Sequence, residues 1–265
     1  MRAILLAAGR GARLSPLTDD RPKCMVPFCG RPLFEWQLAA LRQAGITDIH
    51  VVTGYRADAL APYVVTCWHN PDWDSTNMIA SLMAARSVLE DGADDVIVAY
   101  TDLVYEPRLI SALTERPEAL VLKIDLRWKE LWKLRMENPY DDAETLTYDG
   151  KGCVTGLGLK IASPSDVQGQ YMGLLKLSPD GARKLTAFWD DAPEMPNWAL
   201  GKHKKNAYMT DILRGMIEAG EEVFADFTQA GWFEVDTCKD LEKYEAAVVD
   251  GQMAGLISLE WNTVK

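Results

Sequence analysis

Gly9 and Gly11, followed by Arg13 and Lys23, are residues whose types and spacing could do chemistry together. Two glycines one residue apart let the backbone turn sharply and approach a ligand closely. Consecutive N–H groups in such a turn form a nest for an anion. Arg13 can fork onto phosphate oxygens, and Lys23 adds a second cation on the same loop. A glycine turn with two fixed cations suits a nucleoside triphosphate, although a Gly-x-Gly turn alone equally suits an ordinary surface turn. Two better-known phosphate motifs are excluded. The P-loop pattern Gly-x4-Gly-Lys-Ser/Thr is missing, Leu14 stands where a Rossmann fingerprint needs its third glycine, and Thr53-Gly54 stands where that fingerprint needs an acid.

Two carboxylates complete the set. Asp102 and Asp236 each follow an apolar run, Val96–Tyr100 and Trp232–Val235, which places both at one edge of a sheet. Each could instead cap the next helix. For Asp236 that role is already filled, because Thr237 with Asp240 three residues on has the form of a capping box. For Asp102 the next helix signal, Pro107, is too far away. Two free carboxylates facing a triphosphate repel it unless Mg²⁺ lies between them, and Mg²⁺ prefers one or two carboxylates plus phosphate oxygens.

The elements that must position these groups read as strand, helix, strand, helix. Ala3–Leu6 is a continuous apolar run, as expected of a buried parallel strand. Pro32 opens a helix with Phe34, Leu38 and Leu41 on one face and Gly45 as its stop. Ile49–Thr53 forms a second strand, a short helix follows from about Arg56, and Val64–Trp68 forms a third strand. Asn77 to Leu89 reads as one helix, with Asn77 and Ser81 a turn apart near its start. Asn77 suits either a helix cap or a hydrogen bond to a pyrimidine base, with Ser81 close by. Further on come strands at 95–100 and 119–124 with a helix from Pro107 between them, then short strand-like runs at 132–137, 144–148 and 153–159. Asp149-Gly150 marks a hairpin between the last two. A strand at 170–176, a helix at 179–189, an aperiodic stretch at 190–205, a helix at 209–219, a strand at 223–227 and a closing helix after Thr237 complete the chain. This alternation predicts an α/β fold with a doubly wound, mostly parallel sheet, whose ligands bind beyond the carboxyl ends of the strands.

Composition narrows the function classes. The 265 residues carry 28 Lys and Arg against 39 Asp and Glu, a net charge of −11, which argues against a nucleic-acid partner. No apolar run approaches the roughly 20 residues of a membrane span. The N-terminus enters a strand without a signal-peptide pattern, and the five cysteines (Cys24, Cys29, Cys67, Cys153 and Cys238) form no Cys-x-x-Cys pair. The expectation is a cytoplasmic protein with reduced thiols, with a homodimer compatible with the sequence. It is expected to fold as one domain over residues 1–265, in which 1–125 form the nucleotide-binding half and 126–265 the half that binds the acceptor and completes the metal site.

At full length the glycine stretch resembles something specific. Gly9-x-Gly11-x-Arg13-x-x-Pro16-x-Thr18, then Pro22-Lys23 and Pro27, is similar to the signature of the sugar-phosphate nucleotidyltransferase superfamily, with Cys24 where Pro or Ala is usual. Asn70-x6-Asn77-x3-Ser81-Leu82 resembles the matching segment of the bacterial phosphocholine and 2-aminoethylphosphonate cytidylyltransferase branch. The resemblance implies a GT-A-like nucleotidyltransferase fold, with inserted antiparallel strands on the acceptor side. It also implies Mg²⁺ held by Asp102 and Asp236, and catalytic roles for Arg13 and Lys23 at the α-phosphate and pyrophosphate. The nucleotide, CTP, would lie on Leu6, Ala7, Ala8, Gly9, Gly11, Gly54, Asn77 and Ser81.

For the acceptor, the candidates are Trp132, Glu137, Gln170, Tyr171 and Asp211. They mix an aromatic cage, suited to a quaternary ammonium, with acceptors suited to a primary ammonium. The Gln170–Gly173 run resembles aminoethylphosphonate-type members, which favours 2-aminoethylphosphonate over phosphocholine. The implied reaction moves CMP from CTP to that headgroup and releases pyrophosphate. Two rivals stay open: a sugar-1-phosphate nucleotidyltransferase making a nucleotide sugar, and a non-catalytic regulatory module on the same fold.

Overall fold

The computed structural model describes residues 1–262. Its strands are β1 (Arg2–Ala7), β2 (Pro27–Phe28), β3 (Arg31–Pro32), β4 (Asp48–Thr53), β5 (Thr66–His69), β6 (Val96–Tyr100), β7 (Leu103–Tyr105), β8 (Leu120–Asp125), β9 (Glu144–Tyr148), β10 (Val154–Lys160), β11 (Gln170–Leu177), β12 (Phe224–Thr228) and β13 (Trp232–Glu234). The helices are α1 (Leu33–Gln43), α2 (Met78–Ala84), α3 (Arg86–Glu90), α4 (Pro107–Thr114), α5 (Trp128–Arg135), α6 (Pro179–Asp191), α7 (Met209–Glu218) and α8 (Cys238–Val249).

Seven strands form the central sheet in the order β12-β8-β11-β6-β1-β4-β5. All run parallel except β11, which is antiparallel to both β6 and β8. Successive residues of β1 feed opposite layers. Ala3, Leu5 and Ala7 join a core with α1, α4, α5 and α8, whereas Ile4 packs with α2, α3, α6 and α7. A strand buried on both faces needs apolar residues at every position, which is why its sequence shows no alternation.

Register sets up the site. Ala7 lies opposite Thr53, and Leu6 lies opposite Tyr100, so β1, β4 and β6 end together. From β1 the chain builds outward through β4 to β5, then returns to β6 on the other flank. The crevice above β1 is therefore the place where the strand order reverses, the usual ligand position in such sheets.

The inserted hairpin β9–β10 forms as expected, with Asp149 and Gly150 in its turn. Five elements differ from the sequence-based expectation. Residues 132–137 do not form a strand. Residues 132–135 belong to α5 and 136–137 follow its end; the buried stripe Trp128, Leu131, Trp132 and Arg135 follows helical spacing from a start four residues earlier. The helix expected from Asn77 to Leu89 breaks at Ala85 into α2 and α3. The turn after Arg56 is a single 3₁₀ turn, Ala57–Leu60, and β5 begins at Thr66 because Val64 and its neighbour stay outside the sheet, Val64 being 92% exposed. The strand ending before Asp236 pairs with β7 in a separate two-stranded ribbon.

Candidate active site

The glycine loop leaves β1 at Ala7 and is shaped by close approaches. Gly11 has φ 72°, and a Cβ there would lie 2.7 Å from Lys23 Cβ, so the lysine stem crosses directly over it. The Thr18 hydroxyl donates to the Gly11 carbonyl at 3.1 Å and closes the inner half of the loop. A Cβ at Gly54 would lie 2.5 Å from Trp73 Cβ and 2.6 Å from the Ala8 carbonyl oxygen. At these two positions the backbone must lie where no side chain fits.

Asp102 and Asp236 meet through the β7–β13 ribbon. Glu234 pairs with Leu103, and the Val235 N–H donates to the Asp102 carbonyl at 2.9 Å, which brings the residues beyond each strand side by side. The Lys23 ammonium donates to Asp102 Oδ2 and to Asp236 Oδ1, both at 2.8 Å. Arg13 donates to the same Asp236 oxygen at 2.8 Å. Burial alone would lower the Lys23 pKa, but the two carboxylates outweigh it and hold the ammonium above its ordinary value. Burial likewise works to raise Asp236, yet Lys23, Arg13 and Arg135 pull it below the usual carboxylate range. Asp102 Oδ1 is buried without a hydrogen-bond partner.

Two cavities open on this centre. The first, of about 220 Å³, is lined by Leu6, Ala8, Gly9, Gly11, Arg13, Lys23, Asn77, Ser81 and Asp102 of the expected residues, together with Trp73, Thr76, Met78, Tyr100 and Thr101. Ala7 is not part of its lining; the strand's alternation turns its side chain into the core beneath. Gly54 lies behind Trp73 and shapes the wall without forming it. Asn77 caps α2 and also borders the cavity. Its Oδ1 accepts from the Met78 N–H at 2.8 Å at the start of α2. Ser81 Oγ accepts from the Asn70 amide at 3.0 Å. Trp73 escaped notice in the sequence because it sits in an aperiodic loop, although it falls between the Asn70 and Asn77 that drew attention to that segment.

The second cavity, of about 240 Å³, shares Arg13, Met78, Tyr100 and Asp102 with the first. Trp132, Gln170 and Tyr171 line it as expected, and Asp142, Glu144, Tyr208, Thr210, Glu234 and Asp236 join them. Trp132 Nε1 and the Tyr171 hydroxyl are buried there without hydrogen-bond partners.

Three expected acceptor residues take different positions or roles. Glu137 lies past the end of α5, exposed and outside the cavity lining, because residues 132–137 are not the strand that would have carried it inward. Asp211 is buried, but it is consumed by ion pairs to Lys202 (2.7 Å) and Arg214 (3.0 Å), and it accepts from the Tyr208 N–H at the start of α7. The Gln170 amide points back at its own scaffold, donating to the Glu144 carbonyl at 2.8 Å and accepting from the Glu144 N–H at 3.4 Å. It thereby holds the backbone of Glu144 at the cavity wall.

Arg135 is the main residue that sequence reasoning missed. Its side chain is 3% exposed and donates to Asp236 (3.1 Å), Asp142 (3.2 Å), Asp240 (3.3 Å) and Glu234. Its guanidinium carbon also lies 5.4 Å from the Trp132 ring centre. Burial, and then the Asp236 charge, push the Glu234 carboxyl upward. Among the described residues, Asp142, Glu234 and Asp236 form a group of three acids whose ligand atoms lie within 4.8 Å of one another. The only signal for Arg135 was the helical stripe of α5, hidden when residues 132–137 are read as a strand. All five cysteines are free, and among the described residues no helix is long and apolar enough to cross a membrane.

The pattern of the MobA-like NTP transferase domain matches residues 3–137. CTP:phosphoglutamine cytidylyltransferase of Campylobacter jejuni is 35% identical over 253 residues, covering 91% of this chain and 98% of that one. A 2-aminoethylphosphonate cytidylyltransferase of Lancefieldella rimae is 35% identical over 116 residues, covering 40% of this chain and 47% of that one. Among solved structures, the CTP:phosphocholine cytidylyltransferase of Streptococcus pneumoniae superposes with a TM-score of 0.69 at 21% identity, covering 93% of this chain and 98% of that one. That similarity concerns the fold.

Proposed function

The chain belongs to the MobA-like NTP transferase domain family, within the sugar-phosphate nucleotidyltransferases, and from that premise we propose that it moves CMP from CTP to a small amine-bearing phosphate or phosphonate. The observation that carries this reading is the shared wall of the two cavities. Arg13, Tyr100 and Asp102 face both, and Lys23, bonded to Asp102, lines the first. A nucleotide in the first chamber and an acceptor in the second would react across that wall.

The bond that forms joins an acceptor oxygen to the α-phosphorus, and the bond that breaks releases pyrophosphate. The acceptor oxygen is already ionised, so no side chain need act as general base. The chain's task is alignment and charge neutralisation. The glycine loop would offer N–H groups to the phosphates, Lys23 a cation at the α-phosphate, and Arg13 a cation between the two chambers.

The donor set fits a hard divalent cation. Asp102 and Asp236 are adjacent carboxylates, Asp236 is held ionised, and the buried Asp102 Oδ1 lacks a partner. These two residues would hold Mg²⁺, which when bound supplies further neutralisation of phosphate charge. A metal shared by Asp142, Glu234 and Asp236 would use the same aspartate.

The acceptor wall favours a primary ammonium. Glu144, Asp142 and Glu234 open on the cavity, and a primary ammonium can donate to such carboxylates where a quaternary one cannot. We therefore place 2-aminoethylphosphonate and a phosphoglutamine-type headgroup ahead of phosphocholine. Trp132, Tyr171 and Tyr208 support phosphocholine as the second reading, since aromatic faces suit a quaternary ammonium. Pyrophosphate release measured with each of the four nucleoside triphosphates and these three acceptors tests the proposal. CTP with a primary-ammonium acceptor should give the highest kcat/KM. Preference for ATP or GTP, or for a sugar 1-phosphate, would overturn it.

A further inference from the structure

The loop from Ala8 to Asp19 is gripped at both ends by one residue outside it. Tyr55 follows β4, and its backbone N–H donates to the Ala8 carbonyl at 3.0 Å, where the loop begins. Its hydroxyl donates to the Asp19 carbonyl at 2.8 Å, where the loop turns back. Asp19 is itself a hub, because its carboxylate accepts from Arg10 and from the Ser15 hydroxyl, each at 3.0 Å. The Arg10 guanidinium lies 5.5 Å from the centre of the Tyr55 ring. The same ring meets Trp73 at 5.2 Å between centroids, and Trp73 lines the nucleotide chamber.

From this arrangement we propose that Tyr55 is a positioning residue for the nucleotide: its hydroxyl holds the outer half of the glycine loop closed and ties it to the wall that carries Trp73. This rests on the nucleotidyltransferase reading and extends it to a residue outside both cavity linings. A ligand that binds in a loop meets a lower ordering cost when the loop is already held in its bound shape. Asp19 lies on the outer half of the loop, whereas Arg13 and Lys23 have separate anchors on Asp236 and Asp102. Removing the Tyr55 hydroxyl therefore loosens the loop that receives the triphosphate and leaves the two cations in place.

Tyr55→Phe keeps the ring and its contacts with Arg10 and Trp73 and deletes one neutral hydrogen bond. The expected result is a rise in KM for CTP of roughly two- to tenfold, the range for loss of one such bond, with kcat and acceptor KM changed less than about twofold. Trypsin should also cut faster within the loop, after Arg10 or Arg13, while the melting temperature stays close to that of the parent protein. Tyr55→Leu, which removes the ring as well, should move both readouts further in the same direction. Unchanged CTP KM with unchanged cleavage in Tyr55→Phe would overturn the proposal. So would equal losses in every kinetic constant together with a lowered melting temperature. The cleavage assay needs no substrate, so an inactive parent protein would refute the cytidylyltransferase reading and leave the role of Tyr55 to be decided by cleavage.

Discussion

Lys23 and Asp236, 213 residues apart in the chain, meet at 2.8 Å, and the same ammonium reaches Asp102 at the same distance. One lysine thus supplies the counter-charge for both carboxylates that the sequence singles out. The lysine side chain is 15% exposed and the two aspartates 18% and 10%, so the contact is only partly screened by water.

Lys23→Ala should therefore have two effects. If the lysine neutralises charge that develops in the transition state, kcat should fall by about 10²- to 10³-fold with saturating substrates. The melting temperature without metal should also drop, because Asp102 then faces Asp236 without a shared cation, and Asp236 keeps only Arg13 and Arg135. Mg²⁺ should recover part of that loss. Scanning calorimetry with and without Mg²⁺, alongside turnover, checks both, and near-normal turnover would remove the catalytic role.

Asp102→Asn and Asp236→Asn should each abolish most activity and shift the Mg²⁺ dependence to higher concentration, since each deletes a ligand charge from a hard-cation site. EDTA should silence the parent enzyme reversibly. Pyrophosphate release across a Mg²⁺ titration measures this, and full activity in EDTA would refute the assignment.

Arg135→Met should destabilise the fold by about 3–5 kcal/mol, the range for removing one partner of a buried ion pair, because Glu234, Asp236 and Asp240 lose their shared cation. Arg135→Lys should cost less, yet it cannot reach four carboxylates with one fork. Urea unfolding of the three proteins orders them. A Met variant as stable as the parent would show that Arg135 is not needed to hold the acids.

Glu144→Gln should raise the KM of a primary-ammonium acceptor by roughly tenfold, the scale of one hydrogen bond to a charged group, and leave the KM of CTP unchanged. Gln170→Ala should move the same constant in the same direction by a smaller factor, since its amide only holds the Glu144 backbone. Equal effects on both substrates would argue against a role in acceptor recognition.

Much of the first cavity was legible in the sequence because its signals are local. Gly9, Gly11, Arg13 and Lys23 lie within fifteen consecutive residues, and the need for glycine where Lys23 crosses Gly11 is a property of that loop. Asp102 could be placed at the edge of the sheet because an apolar run ends just before it. Asp236 could be freed from a capping role because Thr237 and Asp240 form the capping box, as the structure bears out.

The second cavity was legible only in part, and the reason is range. Trp132, Gln170 and Tyr171 do line the cavity, but Gln170 turns its amide to Glu144, Asp211 is taken up by Lys202 and Arg214, and Glu137 is carried out into solvent. Each outcome depends on partners in other elements, which no local pattern records. Arg135 gathers acids from residues 142, 234, 236 and 240, and the meeting of Asp102 with Asp236 depends on the pairing of β7 with β13. Periodicity and loop chemistry act over a few residues, so the sequence alone determined the alternating elements, the glycine loop with its two cations and the two aspartates at the sheet edge. Strand register and the competition of buried charges for partners act across the whole chain, so only the tertiary structure decided which acids line the second cavity and which cation holds them.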